Sequence, residues 1–552
     1  MTSIDVETKY WIANMPNTFL VKAIESWLIN SNELGYTLPF CEVLTAQGFS
    51  LIHLSKQNAF EQGKDVIALR GDELHAYQLK GGNITDDRWV REVWPEIEKL
   101  RKLPVVHPAV AAGTPHKSYL VTNGALEDTV RRAITDLNNT QWTEAPLTVI
   151  VRGQLLRDFI DASEAFVPQE LADYRNFLDL IFSDGRGLLD EEKLARLFEE
   201  TLRLRDGELT KAARRRSITA TVLYASYVLS SAAKAANHVA VMHGLAMLLG
   251  HILLVAEREN LPTTVYRTSV ELIINELDRH GAALEAELKA GELDKVYESP
   301  WDGTLGIFRK HLGVTFLTAN KLSQYLSANE DWNSVSSANL LEWNAAGQML
   351  WGEGAVAAFL VRFWLFTVLM PTDSTVAVLL EGPLRDVLRA NSRGSEVGLL
   401  SPYYGIDVVA RLATGTLERE LTETFTGRSY SIGLLVDLLA RHGHRAPVAQ
   451  LWRDISDLSH TEYQPTNLWE CFARRGSSGA EVSRFPDQTQ SWAKLVSDAK
   501  TIDLAAVPRL LGEIPAFIPY FALCYPHHLT RNLVRYFDET VQAQREGLAK
   551  EG

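Results

Sequence analysis

Cysteine is scarce in this chain: 552 residues carry three, Cys41, Cys471 and Cys524, far apart and outside any CxxC or Cys/His ligand spacing. An odd, scattered set excludes a disulfide framework and a cysteine zinc site, and fits a reducing cytoplasm. The opening residues, MTSIDVETKYWIANMPNTF, lack a basic segment leading into an apolar core, so no secretory signal is expected. Long apolar runs are missing too. The most lipid-like stretch, residues 355–371, is interrupted by Arg362 and falls short of the roughly 20 residues of a membrane helix, which predicts a buried helix and no membrane contact. Positive charge is in deficit, with 55 Lys+Arg against 69 Asp+Glu and a net charge of −14. That excludes a protein that coats nucleic acid through a general positive field, but not one whose cations line a single groove. The sequence has no GxxxxGK[ST] loop, so an ATPase, if one is involved, is a separate protein. HExxH and GxSxG are also missing, and Gly476-Ser-Ser-Gly479 has the wrong spacing for a nucleophile elbow.

What is there is a folded composition, 46% apolar and 22% charged, on a chain too long for one ordinary core. Two textures divide it. Up to about residue 165, short β-type runs (SLIHL, DVIAL, LHAYQL, SYLVTNG, LTVIVRG) alternate with helical segments, as in an α/β domain. This part holds 16 Lys+Arg against 21 Asp+Glu, a balance of −5 that leaves −9 for the rest, so a DNA-binding surface in either part must be local. From 166 to 552 apolar residues recur at helical spacing, which predicts a large all-α region, divisible at about residue 300 into 166–300 and 301–552. The clearest helical segments are Gln169–Phe182, Glu191–Leu204, Ile218–Glu257, Ser269–Leu293, Leu340–Gln348 and Ser431–Arg441. No fixed-period repeat occurs, and Arg474–Gln488, rich in Gly and Ser, reads as a solvated loop.

Chemistry concentrates in one stretch, EQGKDVIALRGDELHAYQLK, residues 61–80. Two β-type runs flank Gly71-Asp72, and glycine first in the turn suits a type II′ hairpin. If Arg70 and Glu73 bound that turn, Asp65 stands opposite Gln78 at cross-strand distance and Lys80 shares their face two residues on. Ile67, Leu69, Leu74 and Ala76 underlie the polar set, and Asp65 and Lys80 are expected on an open strand face. A carboxylate, an amide oxygen and an ammonium so placed suit metal-assisted attack on phosphate. Mg²⁺, for which Mn²⁺ can substitute, prefers oxygen ligands and takes one or two protein carboxylates, here Asp65, with Gln78 and the Leu79 carbonyl as neutral ligands. Lys80 would orient the nucleophile and offset charge building on phosphorus.

These residues resemble a family. Gly63-Lys64-Asp65 followed by Gln78-Leu79-Lys80 is similar to the D…QxK variant of the PD-(D/E)xK fold of Mrr-type restriction endonucleases. Residues 40–49, FCEVLTAQGF, resemble the first helix and its step into the first strand, and 118–124, SYLVTNG, a later strand. The resemblance covers about 160 residues. It implies a restriction-endonuclease-like α/β domain at 1–165 and a Mg²⁺-dependent endonuclease acting on DNA. It further implies that Asp65 and Gln78 bind metal, that Lys80 is catalytic, and that Glu42, or else Glu25 on the preceding helix, contacts the metal through water. Similar domains occur as effectors of prokaryotic antiviral systems, joined to sensing or oligomerising regions.

Other features carry less. Glu61 and Lys64 flank the site and could touch phosphate; Lys56, Arg88 and Arg91 are candidates for a basic groove or simply a charged helix face. His442, His444, His527 and His528 read as surface or packing histidines, and Trp332, Trp343, Trp351 and Trp364 as core. The helical part is expected to assemble a homodimer, dock an ATPase or sense an invader. The competing function is a helical interaction protein whose first domain only binds DNA or a partner.

Overall fold

The computed structural model describes residues 18–54, 64–105, 110–111, 113–162, 174–181, 183, 185–207, 209–291, 302–328, 339, 342–343, 350–370, 374–395, 398–413, 424–473 and 480–551. The chain forms two compact units, one of Met1–Ala172 with Asp206–Ser226, the other of Asp173–Arg205 with Tyr227–Gly552. The division at Ser226 falls inside the helix Lys211–Lys234.

The first unit is built on a five-stranded sheet in sequence order: β1 (Ser50–Leu54), β2 (Val66–Arg70), β3 (Glu73–Lys80), β4 (His116–Thr122) and β5 (Leu147–Ile150). β1, β2 and β3 run antiparallel, whereas β3, β4 and β5 are parallel, with helical crossovers. The hairpin register is the expected one, Arg70 facing Glu73 and Val66 facing Tyr77. Gly71 has a φ of +60° and Asp72 is not among the positive-φ residues, the sign pattern of a type II′ turn.

Helices α1 (Thr18–Asn30), α2 (Glu33–Ala46) and α5 (Arg152–Asp161) belong to one side of this sheet, where Phe40 of α2 packs edge-on against Tyr77. On the other side lie a π-turn, Trp89–Val93, running into α3 (Trp94–Lys102), and α4 (Asp128–Thr140). Their apolar stripes close a core of Ala76, Leu120, Trp89, Val93, Ile97 and Val130. At 25 cal/mol per Å² the burial of each such side chain is worth roughly 1.5–3 kcal/mol.

The second unit is predominantly helical but not all-α. β6 (Leu399–Leu400) pairs with β7 (Thr424–Phe425), and β8 (Arg428–Ser429), β9 (Ser459–Gln464) and β10 (Ala480–Arg484) form a three-stranded sheet. These strands are two to six residues long, and those of the three-stranded sheet carry mostly polar side chains, so they leave little period-2 apolar signal. β10 lies in the segment read as a loop, of which residues 474–479 fall outside the described set. The span Ile218–Glu257 is two helices, because Ala236 adopts φ +52° and Asn237 caps His238–Arg258 by accepting from Ala240 N. Among the described residues His238–Arg258 alone is long and apolar enough to cross a membrane, and its apolar window is wholly buried inside the unit, as in a core helix. Val356–Leu369 is the expected buried helix, with Arg362 and Trp364 in its interior. Trp332 lies outside the described residues, while Trp343 and Trp351 are half-buried. His528 is fully buried and stacked on Tyr463, and His442 bonds Asp538.

Candidate active site

The site grows from the last residues of β3. Extended geometry turns Leu74, Ala76, Gln78 and Lys80 to one face, the first two into the core beneath α3 and the last two past its edge. Asp65, one residue before β2, continues the hairpin ladder by donating its N–H to the Tyr77 carbonyl at 2.9 Å. Its Oδ2 accepts from Gln78 Nε2 at 2.7 Å and from Leu79 N at 2.6 Å. Asp65, Gln78 and Leu79 are thus brought together as the register requires. Because N–H and C=O of one strand residue share an edge, the Leu79 carbonyl also faces Asp65.

The strand end is pinned from below and beside. Tyr36 of α2, fully buried, donates to the carbonyls of Lys80 at 2.9 Å and Val121 at 3.3 Å. Asn123 ties the β4 end to the chain after Lys80: its Oδ1 accepts from Gly82 N at 2.6 Å and its Nδ2 donates to Leu28 O and Ser31 O. Glycine is needed at 124, where a Cβ would lie 2.2 Å from the Gly82 carbonyl carbon. The Val-Thr-Asn-Gly motif is therefore a brace under the site.

Lys80 is not on an open face. It is 8% exposed, with Nζ 2.5 Å from Glu96 Oε2, a charge contact off the hydrogen-bond direction, and 3.8 Å from Glu33 Oε2. Glu96 comes from α3 and Glu33 from the first turn of α2, whose start Asn32 caps by accepting from Gly35 N. Burial pushes Asp65 up to about 7, against the Leu79 N–H that favours its ionised form; Glu33 and Glu96 push it further up and Lys80 pulls it down. Glu33 is likewise raised by burial, with Lys80 opposing.

The helix carboxylate beside this group is thus Glu33, not Glu42 or Glu25. Glu42 lies nine residues further along α2, about 13 Å up the axis and on the opposite side. Glu25 of α1 feels Arg152 and Lys22 instead. Glu33 and Glu96 were missed because helix crossings, which sequence spacing does not encode, bring them to Lys80. The one available signal was the Asn32 cap, which starts the helix well before residue 40. Lys64 is buried rather than at a phosphate-facing rim, its ammonium pushed down to about 8 by burial. Arg88 braces the loop by donating to Gly81 O and Asn83 O, and Arg91 pairs with Asp87 on the surface. Lys56 and Glu61 lie outside the described residues.

Among the described residues no group of three or more His, Cys, Asp and Glu side chains gathers as metal ligands. A Mg²⁺-type donor set needs only one carboxylate with neutral oxygens, and the buried Gln78 Oε1 has no hydrogen-bond partner among the described residues. A carboxylate, an orphaned amide oxygen and a main-chain carbonyl fit such an ion. No protein-family model, curated protein or solved structure matches this chain.

Proposed function

We propose that the first unit is a metal-dependent nuclease that hydrolyses DNA phosphodiester bonds, organised like the PD-(D/E)xK restriction endonucleases. The observation that carries this reading is the convergence of Gln78 Nε2 and Leu79 N on Asp65 Oδ2, with Lys80 two residues on along the same strand. The helix leading into β1, the β2–β3 hairpin and the later strand β4 are the elements the resemblance names, and their presence in one sheet supports it. Asp65, the Gln78 amide oxygen and the Leu79 carbonyl would hold Mg²⁺ or Mn²⁺, whose contribution is to lower the pKa of a bound water and polarise a phosphoryl oxygen. Lys80 supplies positive charge to the attacked phosphate once it leaves Glu96. Glu96 and Glu33 hold that ammonium in place and keep anions from it until a substrate competes. By the same resemblance the protein acts as an effector of prokaryotic defence, with the second unit controlling assembly or activation.

The test is incubation of the full chain with plasmid and linear DNA, with Mg²⁺ or with EDTA. Metal-dependent cleavage is expected, lost by at least about 100-fold in both Asp65→Ala and Lys80→Ala. Undiminished cleavage in either variant would overturn the assignment.

A further inference from the structure

A cleft of about 740 Å³ opens in the second unit, within the size range of small-molecule sites. Its floor is one face of the β9–β10 pair. Alternation turns His460, Glu462 and Gln464 of β9 to that face, with Arg484 opposite His460 and Val482 opposite Glu462. A sheet face roofed by helices ordinarily carries apolar residues, since a buried polar group without a partner is destabilising. Here the roofing helices Ile432–Arg441, Trp492–Lys500 and Arg531–Glu551 meet a polar floor, and the space between stays open.

The deepest charge is Asp437, 1% exposed, with both oxygens committed. Arg531 reaches it in a two-pronged contact, Nη2 to Oδ1 at 2.7 Å and Nε to Oδ2 at 3.0 Å, and Arg535 Nε bonds Oδ2 at 2.6 Å. Arg531 is thereby fixed, and among the described residues its Nη1 makes no hydrogen bond. Beside it stands Glu462, whose Oε1 accepts the Arg531 main-chain N–H at 2.6 Å. No ion pair neutralises Glu462 among the described residues, and its charge acts on Arg531 together with that of Asp498. His460 donates through Nε2 to Ile455 O at 3.1 Å, which leaves Nδ1 as an acceptor. At the mouth, Trp452 is half-buried with its indole N–H bonded to Gln488 O at 2.9 Å, and Phe485 is 58% exposed.

These groups make a demand on the ligand. A phosphate is disfavoured, because Arg531 is already saturated by Asp437 on one side and flanked by Glu462 and Asp498. A carboxylate beside a fixed guanidinium asks for adjacent donors and an acceptor on one rigid edge, and aromatic rings at the mouth ask for a planar body. Guanine has both, N1–H and N2–H₂ beside O6, and every base has a π-face that stacks on an aromatic ring.

We propose that this cleft binds a guanine base, its N1–H and N2–H₂ donating to Glu462, its O6 accepting from Arg531, and its ring stacking at Trp452. The base is that of a free guanine nucleoside or of an unpaired guanine in a nucleic-acid strand. The site is independent of the nuclease chemistry.

The test is calorimetric titration of the full chain with guanosine, inosine and adenosine, and with two single-stranded octanucleotides that differ only in one central guanine or adenine. Guanosine or the guanine octamer is expected to bind. Inosine, which lacks N2–H₂, should bind about 10-fold more weakly than guanosine and adenosine more weakly still. Binding of guanosine itself identifies a free nucleoside as the source, and binding of the guanine octamer alone identifies a strand. Glu462→Gln preserves the oxygen that accepts from Arg531 N and should lose at least about 10-fold in affinity. Trp452→Ala, at the mouth, should also weaken binding, and unchanged melting curves would show that both variants are folded. Binding of neither guanosine nor the guanine octamer at millimolar concentration would overturn the proposal. So would equal binding of adenosine, or full affinity in folded Glu462→Gln.

Discussion

Gln78 does two things that a glutamate in its place could not do together. Its Nε2 donates to Asp65 at 2.7 Å, which lets a half-buried carboxylate stand with few cations near it, and its Oε1 is left over as a neutral oxygen for the proposed metal. Gln78→Glu would place two carboxylates in contact, and like charges at that distance raise one of the two pKa values. Without a divalent ion the variant should melt a few degrees below the parent, a loss of about 1–2 kcal/mol. Millimolar Mg²⁺ should raise its melting temperature by more than it raises that of the parent, because a second charged ligand strengthens metal binding. Scanning calorimetry of both proteins with Mg²⁺ and with EDTA reads the difference. An equal metal-induced shift in the two would remove Gln78 from the donor set. This residue pair was legible in the sequence because the hairpin is local: Gly71 sets the turn, the turn sets the register, and the register sets who faces whom. Lys80's partners were not legible, since Glu33 and Glu96 arrive on separate helices.

Elements hold the site by their ends. α2 presents Glu33 at its first turn and Tyr36 one turn later, so a single phenol fixes the helix to the ends of β3 and β4 at once. The approach is close enough that a Cβ at Gly81 would lie 3.0 Å from Glu33 N. Tyr36→Phe retains the packed ring and removes the single hydroxyl donor shared by the Lys80 and Val121 carbonyls, an expected loss of about 1 kcal/mol in urea unfolding. Glu33 and Lys80 should then lose their fixed separation, and DNA cleavage should fall more in kcat than in KM, because the substrate surface is untouched. A rise in KM alone, or no change in stability, would contradict that role. At this scale the strands of the first unit were readable from their apolar runs and turn glycines, and the long second-unit helices from their period. The β8–β10 sheet was not, because its strands are short and polar where they face the cleft.

Across the whole molecule two electrostatic features bear on conditions of use. Burial lowers His528 to about 4, partly offset by its bond to the Cys471 carbonyl and by Glu470. A histidine whose folded pKa lies below the unfolded value of about 6.5 stays neutral in the folded state and is protonated preferentially in the unfolded state. Its share of stability is complete above pH 6.5 and is lost as pH falls from there towards 4, on the order of 2–3 kcal/mol in all. His528→Asn, whose amide nitrogen takes the place of Nδ1 as donor to Cys471 O, should therefore show a shallower fall in urea midpoint between pH 7 and pH 4.5 than the parent. Parallel falls would mean that His528 is not the group that titrates.

The second feature is the charge balance itself. With a net charge of −14, and 16 Lys+Arg against 21 Asp+Glu in the first 165 residues, the molecule as a whole repels a polyanion. If the first unit binds DNA as proposed, its affinity must come from a few local cations, and several of those described already have partners: Lys80 pairs with Glu96, Arg91 with Asp87, and Arg88 with Glu92 and loop carbonyls. Each phosphate contact contributes about −0.9 to the slope of log K against log salt, so two to four contacts give a slope of about −2 to −4. A nuclease of the proposed kind would hold one site and cut one strand, so double-strand cleavage by it would call for two copies related by a two-fold axis. Dimerisation doubles the contacts on a long duplex and should double the slope relative to a duplex too short for both copies. Light scattering should accordingly find a dimer, and binding over a salt series on a long and a short duplex should separate the two slopes. A monomer that cuts both strands, or a slope near −10 on the short duplex, would place the DNA-holding surface elsewhere than around Lys80.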